Sequence, residues 1–178
     1  MIIRHFRENM ETNNFELKGL WDASAFFRAL TRRNRLARSR GFTFCRVSSL
    51  QGFEEALHTM QESPALVCVS DTADGYIAVN NTPRTRRVKT VFMAMRHGLD
   101  DMEARSRCFE LMRELFRQFM SVLTRERVRL AENMIYIDER ITFSEIDRYF
   151  FNAGACAYFQ IAVDVCTDLR YNPDEWIQ

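Results

Sequence analysis

The sequence predicts an α+β domain: a mainly antiparallel sheet of about five to six strands, one long amphipathic helix packed on one sheet face, and shorter helices towards the N-terminus. Three observations predict it. Strand-like segments come in clusters and do not alternate one by one with helices, which argues against a doubly wound parallel sheet. The stretch DDMEARSRCFELMRELFRQFMSVLTRERVR, 100–129, carries an unbroken apolar stripe at helical spacing. The stretch AYFQIAVDVCTDL, 157–169, alternates apolar and polar residues, as a strand with one buried face does.

The elements follow in chain order. Residues 1–15 are polar and weakly patterned and read as an N-terminal arm; 16–170 read as a single domain, and 171–178 as a C-terminal tail anchored by Trp176. A helix is expected from Trp21 to about Ser39, held by Leu20, Phe26, Phe27, Leu30 and Leu36 and ended by Gly41 as its C-cap. FTFCRVS, 42–48, alternates as a strand. LQGFEEALHTMQES, 50–63, places Phe53, Leu57 and Met60 at helical spacing before Ser63-Pro64 ends it. ALVCVSD, 65–71, is apolar on both faces and predicts a central strand. DTADG then offers a hairpin-like connection to GYIAVN, 75–80, and NNTPRTRR reads as a polar loop leading into VKTVFMAM, 88–95.

In the long helix, Cys108, Phe109, Met112, Leu115, Phe116, Phe119, Met120 and Leu123 form the stripe. Asp100, Asp101 and Glu103 at its start and Arg125, Arg127 and Arg129 near its end complement the helix dipole. NMIYID and ITFSEID, 133–147, read as two strands joined by a short turn at Glu139-Arg140.

Composition bounds the function. Hydrophobic residues make up 47% of the 178, charged residues 28%, and fifteen Phe supply core material, so the chain is globular. A net charge of +1 gives no global field towards nucleic acid or an acidic membrane; any basic role must be local. The cations are nearly all Arg, with Lys only at Lys18 and Lys89. Arg favours bidentate contact with carboxylate or phosphate, although an Arg-biased coding composition explains the same count. The five cysteines are odd in number and lack CxxC spacing, so they are expected to be small buried hydrophobes in a reducing compartment, without a disulfide framework or zinc site. No signal-peptide pattern or membrane-length apolar run is present, and a soluble cytoplasmic product is expected.

Motifs for chemistry are absent. There is no GxGxxG, P-loop or GxSxG, and His5, His58 and His97 lie in unrelated contexts. Asp71 and Asp74 flank a turn, and Asp100 and Asp101 start a helix. Asp138, Glu139, Glu145 and Asp147, with Asp164 and Asp168, define an acidic sheet region. A metal site there is conceivable, but a solvated strand face explains those residues more simply. No catalytic residue, metal or cofactor is therefore assigned.

The sharper signal is charge segregation. RALTRRNRLARSRGF, 28–42, holds six arginines, and no acid occurs from Ala23 to Phe53. The candidate basic residues are Arg28, Arg32, Arg33, Arg35 and Arg38, with Arg84, Arg86, Arg87 and Lys89 in the second cluster. Arg28, Arg32 and Arg35 share one helix face at i, i+4, i+7. The candidate complementary acids are Glu139, Glu145, Asp147, Asp164 and Asp168. Such segregation suits head-to-tail self-assembly, a basic face meeting an acidic one. It also suits a channel wall or module that holds DNA without reading its sequence. A sequence-reading helix-turn-helix is disfavoured, because no companion helix is suitably placed.

The order of GFTFCRVSSLQGFEEAL, PALVCVSD, GYIAVN, RVKTVFMAM, DDMEARSRCFELMRELFRQFM and AYFQIAVDVCTDL resembles that of tail-terminator and neck proteins of tailed bacteriophages, over about residues 25–170. The resemblance implies a non-enzymatic virion subunit. It would assemble in the bacterial cytoplasm into a ring, often a hexamer, at the top of the tail tube, stop tube growth and dock the head connector. Its partners would be itself, the connector and tail-tube proteins, with DNA passing through the lumen and no membrane involved. The Arg-rich 28–40 helix and the NPDEW extension lie outside that pattern.

Overall fold

The computed structural model describes residues 21–48, 50–58, 64–146 and 154–177. The expected arm, Asp147 and the end of the second expected helix lie outside them. The described elements run α1 (Ala23–Arg33), α2 (Arg35–Ser39), β1 (Phe42–Val47), α3 (Leu50–His58), β2 (Ala65–Ser70), β3 (Asp74–Ala78), β4 (Arg84–Arg96), α4 (Met102–Glu132), β5 (Ile135–Ile137), β6 (Phe143–Ile146) and β7 (Gly154–Cys166), closing with a 3-10 turn, Pro173–Glu175. The fold is α+β, as expected.

One seven-stranded sheet runs β1-β2-β4-β7-β5, with β3 paired to β4 and β6 paired to β7. Its spine is the antiparallel pair β4 and β7, 13 residues each, in register from Arg84↔Cys166 to Arg96↔Gly154. Each long strand seats two short strands end to end: β2 and β3 lie along β4, and β6 and β5 along β7. Only β1 and β2 pair in parallel, with α3 as the crossover between them.

This corrects two expected hairpins. DTADG does not fold β3 back on β2, and the Glu139-Arg140 turn does not pair β5 with β6. In both cases a strand of 13 residues offers more ladder than one short partner can fill, so the next segment moves along it. The hairpin that does form joins β3 to β4 through 79–83. Arg84, Arg86 and Arg87 are thus strand residues, not members of an entry loop, with Arg84 and Arg87 exposed and Arg86 partly buried.

Helices α1 and α4 cover one sheet face. The stripe expected on α4 is buried at Cys108, Phe109, Met112, Leu115, Phe119 and Leu123, with Phe116 and Met120 packed beside it. Alternation on β7 buries Phe159, Ile161 and Val163 on the same side. Phe27 of α1 joins the layers, its ring 5.9 Å from Phe119 and 5.5 Å from Phe159. Burying such a side chain contributes about 1.5–3 kcal/mol. On the other face α3 packs Phe53 against Phe92, the rings stacked at 4.5 Å.

The helix expected over 21–39 is two helices. At Asn34 the backbone turns extended (φ −71°, ψ 129°), its N–H donates to Leu30 O, and its side chain accepts from Ala37 N at 2.8 Å. The residue ends one helix and caps the next. Its Nδ2 also donates to Gln118 Oε1 on α4 at 2.7 Å, which fixes the break against the long helix.

Two further expectations are corrected. Cys45 and Cys68, opposite each other on β1 and β2 with Cα atoms 4.8 Å apart, form a disulfide. Sequence spacing cannot reveal this, because the strand register brings them together. Trp176 is no anchor: it is 64% exposed, and among the described residues it stacks on Tyr171, at 6.4 Å. Among the described residues no helix is long and apolar enough to cross a membrane.

Candidate functional site

On the sheet face away from α1 and α4, four residues stand directly opposite one another across β3, β4, β7 and β5: Tyr76, Arg86, Asp164 and Tyr136. Arg86 is their hub. It donates through Nη1 to Asp164 Oδ2 at 2.7 Å and to Asp138 Oδ1 at 3.2 Å, and through Nη2 to Asp138 Oδ2. The hydrogen bond to Asp138, opposed by burial and reinforced by Asp164, raises its pKa. Arg84 lies over the Tyr136 ring at 5.0 Å. Lys89 donates to the carbonyls of Ser70, Asp71 and Thr72 where the chain leaves β2, and burial lowers its pKa.

The expected basic and acidic faces are thereby revised. Arg86 and Lys89 use their donors inside the chain. Of the acids, Asp164 is held by Arg86, Glu139 by Arg127 at 3.0 Å, Glu145 by Arg113 at 2.7 Å, and Asp168 by Arg170 at 2.6 Å. Hydrogen bonds from Arg170 hold the Asp168 carboxyl down to about 2. These four acids segregate in sequence but not in space: strand pairing and the return of α4 bring arginines to Asp164, Glu139 and Glu145, and Asp168 meets Arg170 two residues on. Asp147 lies outside the described residues. Arg84 and Arg87 point to opposite sides of β4, so the second basic cluster is not one face.

The first cluster is exposed but is not the one helix face expected: the break at Asn34 puts Arg35 and Arg38 on α2, so the i, i+4, i+7 spacing of Arg28, Arg32 and Arg35 does not run along a single helix. Arg28, Arg32, Arg33, Arg35 and Arg38 are all exposed, as is Arg40. Arg28 lies over the Phe44 ring at 5.2 Å. Arg28, Thr31 and Arg32 of α1 face Phe42–Arg46 of β1 across a groove of about 570 Å³. The strand adds Arg46, the last arginine of the 28–46 run, which also contacts Asp71 at 2.5 Å.

A third feature was missed altogether. At the end of the sheet where β4 begins, β3 forms one edge and β5 the other. The β3 edge exposes Tyr76 at 60%, Ile77 at 50% and, just beyond it, Val79 at 84%. Gly75 lets this strand approach β4: a Cβ there would lie 2.0 Å from Arg86 O. Near the β5 edge, Val128 is 69% and Met134 57% exposed. There Thr124, Arg127, Val128 and Ala131 of α4 and Ile135–Ile137 of β5 line a mainly apolar groove of about 370 Å³. The sequence does show these apolar residues, but exposure follows from which strands stand at the edges.

Among the described residues no group of three or more His, Cys, Asp or Glu side chains is placed to hold a metal ion. Asp138 and Asp164, two of the acids considered from sequence for a metal site, converge on a guanidinium. Comparison with protein-family models and with curated proteins found no match for the chain.

Proposed function

We propose that the protein is a structural assembly subunit whose copies join head to tail into a closed ring. The observation that carries this reading is the pair of unlike apolar surfaces on opposite sheet edges: a protruding hairpin edge at Tyr76, Ile77 and Val79, and a groove beside Val128 and Tyr136. Exposed apolar patches mark interaction sites. A two-fold dimer would pair like patch with like and leave the other kind open on both copies; a heterologous contact covers both kinds and forms a ring when its rotation closes.

The resemblance to phage tail-terminator and neck proteins supports a more specific place. In that reading the ring, with six copies as the family implies, assembles in the bacterial cytoplasm, ends the tail tube in the virion and presents a platform to the head connector. Light scattering combined with electron microscopy tests it. A ring whose mass is a whole multiple of 21.1 kDa is expected; a protein that stays monomeric at high concentration contradicts it.

A further inference from the structure

We infer that the groove between α1 and β1, with the arginines that continue onto α2, binds the phosphate backbone of double-stranded nucleic acid without reading its sequence. This surface lies at the β1 edge, apart from the β3 and β5 edges, and does not depend on the ring.

Its density of unpaired charge picks it out. Elsewhere many arginines are ion-paired within the chain: Arg86 with Asp138 and Asp164, Arg107 with Glu103, Arg113 with Glu145, Arg117 with Glu114, Arg127 with Glu139, Arg129 with Glu126 and Arg170 with Asp168. Among the described residues, Arg32, Arg35 and Arg38 make no ion pair, and Arg28 meets only the Phe44 ring. Here Arg28, Arg32, Arg35 and Arg38 lie close together in sequence with no Asp or Glu from Ala23 to Phe53, and in the groove Arg46 meets the carboxylate of Asp71.

The same surface argues against a folded protein as its ligand. Stable protein interfaces bury an apolar or aromatic centre inside a polar rim. Between Ala23 and Val47 no large hydrophobic side chain is exposed; among the described residues those lie at the β3 and β5 edges, at the start of α4 and in the tail. The aromatic ring in the groove, Phe44, is half-buried and covered by Arg28, so it gives no free platform for stacking single-stranded bases. What remains is a row of guanidinium forks. Arg28 and Arg32 stand one helical turn apart, with Arg46 on the facing strand. Forks of this kind match phosphate oxygens bidentately and carry no base specificity.

Fluorescence anisotropy with labelled duplex DNA tests the inference, comparing wild type with a triple variant, Arg28→Ala, Arg32→Ala and Arg35→Ala. Circular dichroism confirms that the variant is folded. Wild type should bind two duplexes of unrelated sequence alike, with affinity falling steeply as salt rises. Each arginine removed from a phosphate should reduce the slope of log affinity against log salt by about 0.9, so the variant slope should be shallower by about 2–3. At low salt the variant should bind at least about tenfold more weakly. A charge-keeping variant, with Lys at the same three positions, should retain most of the affinity. The inference is overturned if wild type fails to bind duplex DNA at low salt, or if the alanine variant binds as wild type does. It also fails if the lysine variant loses as much as the alanine variant, or if polyglutamate binds the groove and DNA does not, which would make an acidic protein segment the ligand.

Discussion

Arg86 on β4 and Asp164 on β7 occupy directly opposed register positions, and the guanidinium donates to the carboxylate at 2.7 Å while its other nitrogen holds Asp138 after β5. The cluster ties three strands together at the end of the sheet that carries both exposed edges. The Arg86 and Asp164 side chains are 24% and 22% exposed, so water screens the pair only in part. Replacing Arg86 by Met leaves two carboxylates facing each other without a cation. Destabilisation of about 1–3 kcal/mol is expected in urea unfolding. Adding Asp138→Asn and Asp164→Asn should recover part of that loss; a triple variant weaker than the single one would contradict the electrostatic account.

Asn34 makes a second prediction. Asn34→Ala removes the N-cap of α2 and the bond to Gln118, and should cost about 1–2 kcal/mol in the same measurement. Asn34→Asp keeps a capping oxygen and loses only the amide donor, so it should cost less. Equal losses would show that the cap is not the dominant contact.

Phe27 is the point where α1, α4 and β7 meet, and it is fully buried. Phe27→Ala should cost about 3–5 kcal/mol, the range for a large cavity in a packed core. A loss near that of a surface substitution would place α1 outside the cooperative core.

The thiols should differ sharply. Cys166 is exposed, whereas Cys108 and Cys156 are buried, and burial raises the pKa of both, that of Cys156 to about 12. A maleimide added to the native protein should label Cys166 first, spare Cys108 and Cys156 until unfolding, and reach Cys45 and Cys68 only after reduction. In the unfolded chain the Cys156 thiol ionises near 9.0; in the folded chain it keeps its proton to about 12. Its contribution to stability is therefore complete below pH 9 and declines as pH rises from about 9 towards 12. Cys156→Ala should flatten that part of the alkaline denaturation profile.

Much of the fold was legible in the residues. The stripe on α4 and the alternation on β7 each record a burial pattern that local periodicity expresses directly. The pairing of short strands was not, because Asp74–Ala78 and Ile135–Ile137 choose partners by the length of ladder that β4 and β7 leave open. The break at Asn34 was written in a capping residue, but a run of good helix formers around it masked the signal. The basic run at 28–46 could be read because its residues are near one another in sequence; the β3 and β5 edges could not, because only strand order creates them. The acidic residues misled for the same reason: their partners Arg86, Arg113 and Arg127 are distant in sequence.

The most direct test of head-to-tail assembly uses two variants that each spoil one edge. Val79→Glu charges the hairpin side and Val128→Glu charges the groove side. Each variant alone should remain at or near the 21.1 kDa monomer by light scattering. Mixed in equal amounts, they should form dimers and stop there, because one intact hairpin still meets one intact groove. A mixture that stays monomeric, or single variants that assemble as wild type does, would contradict the proposed contact.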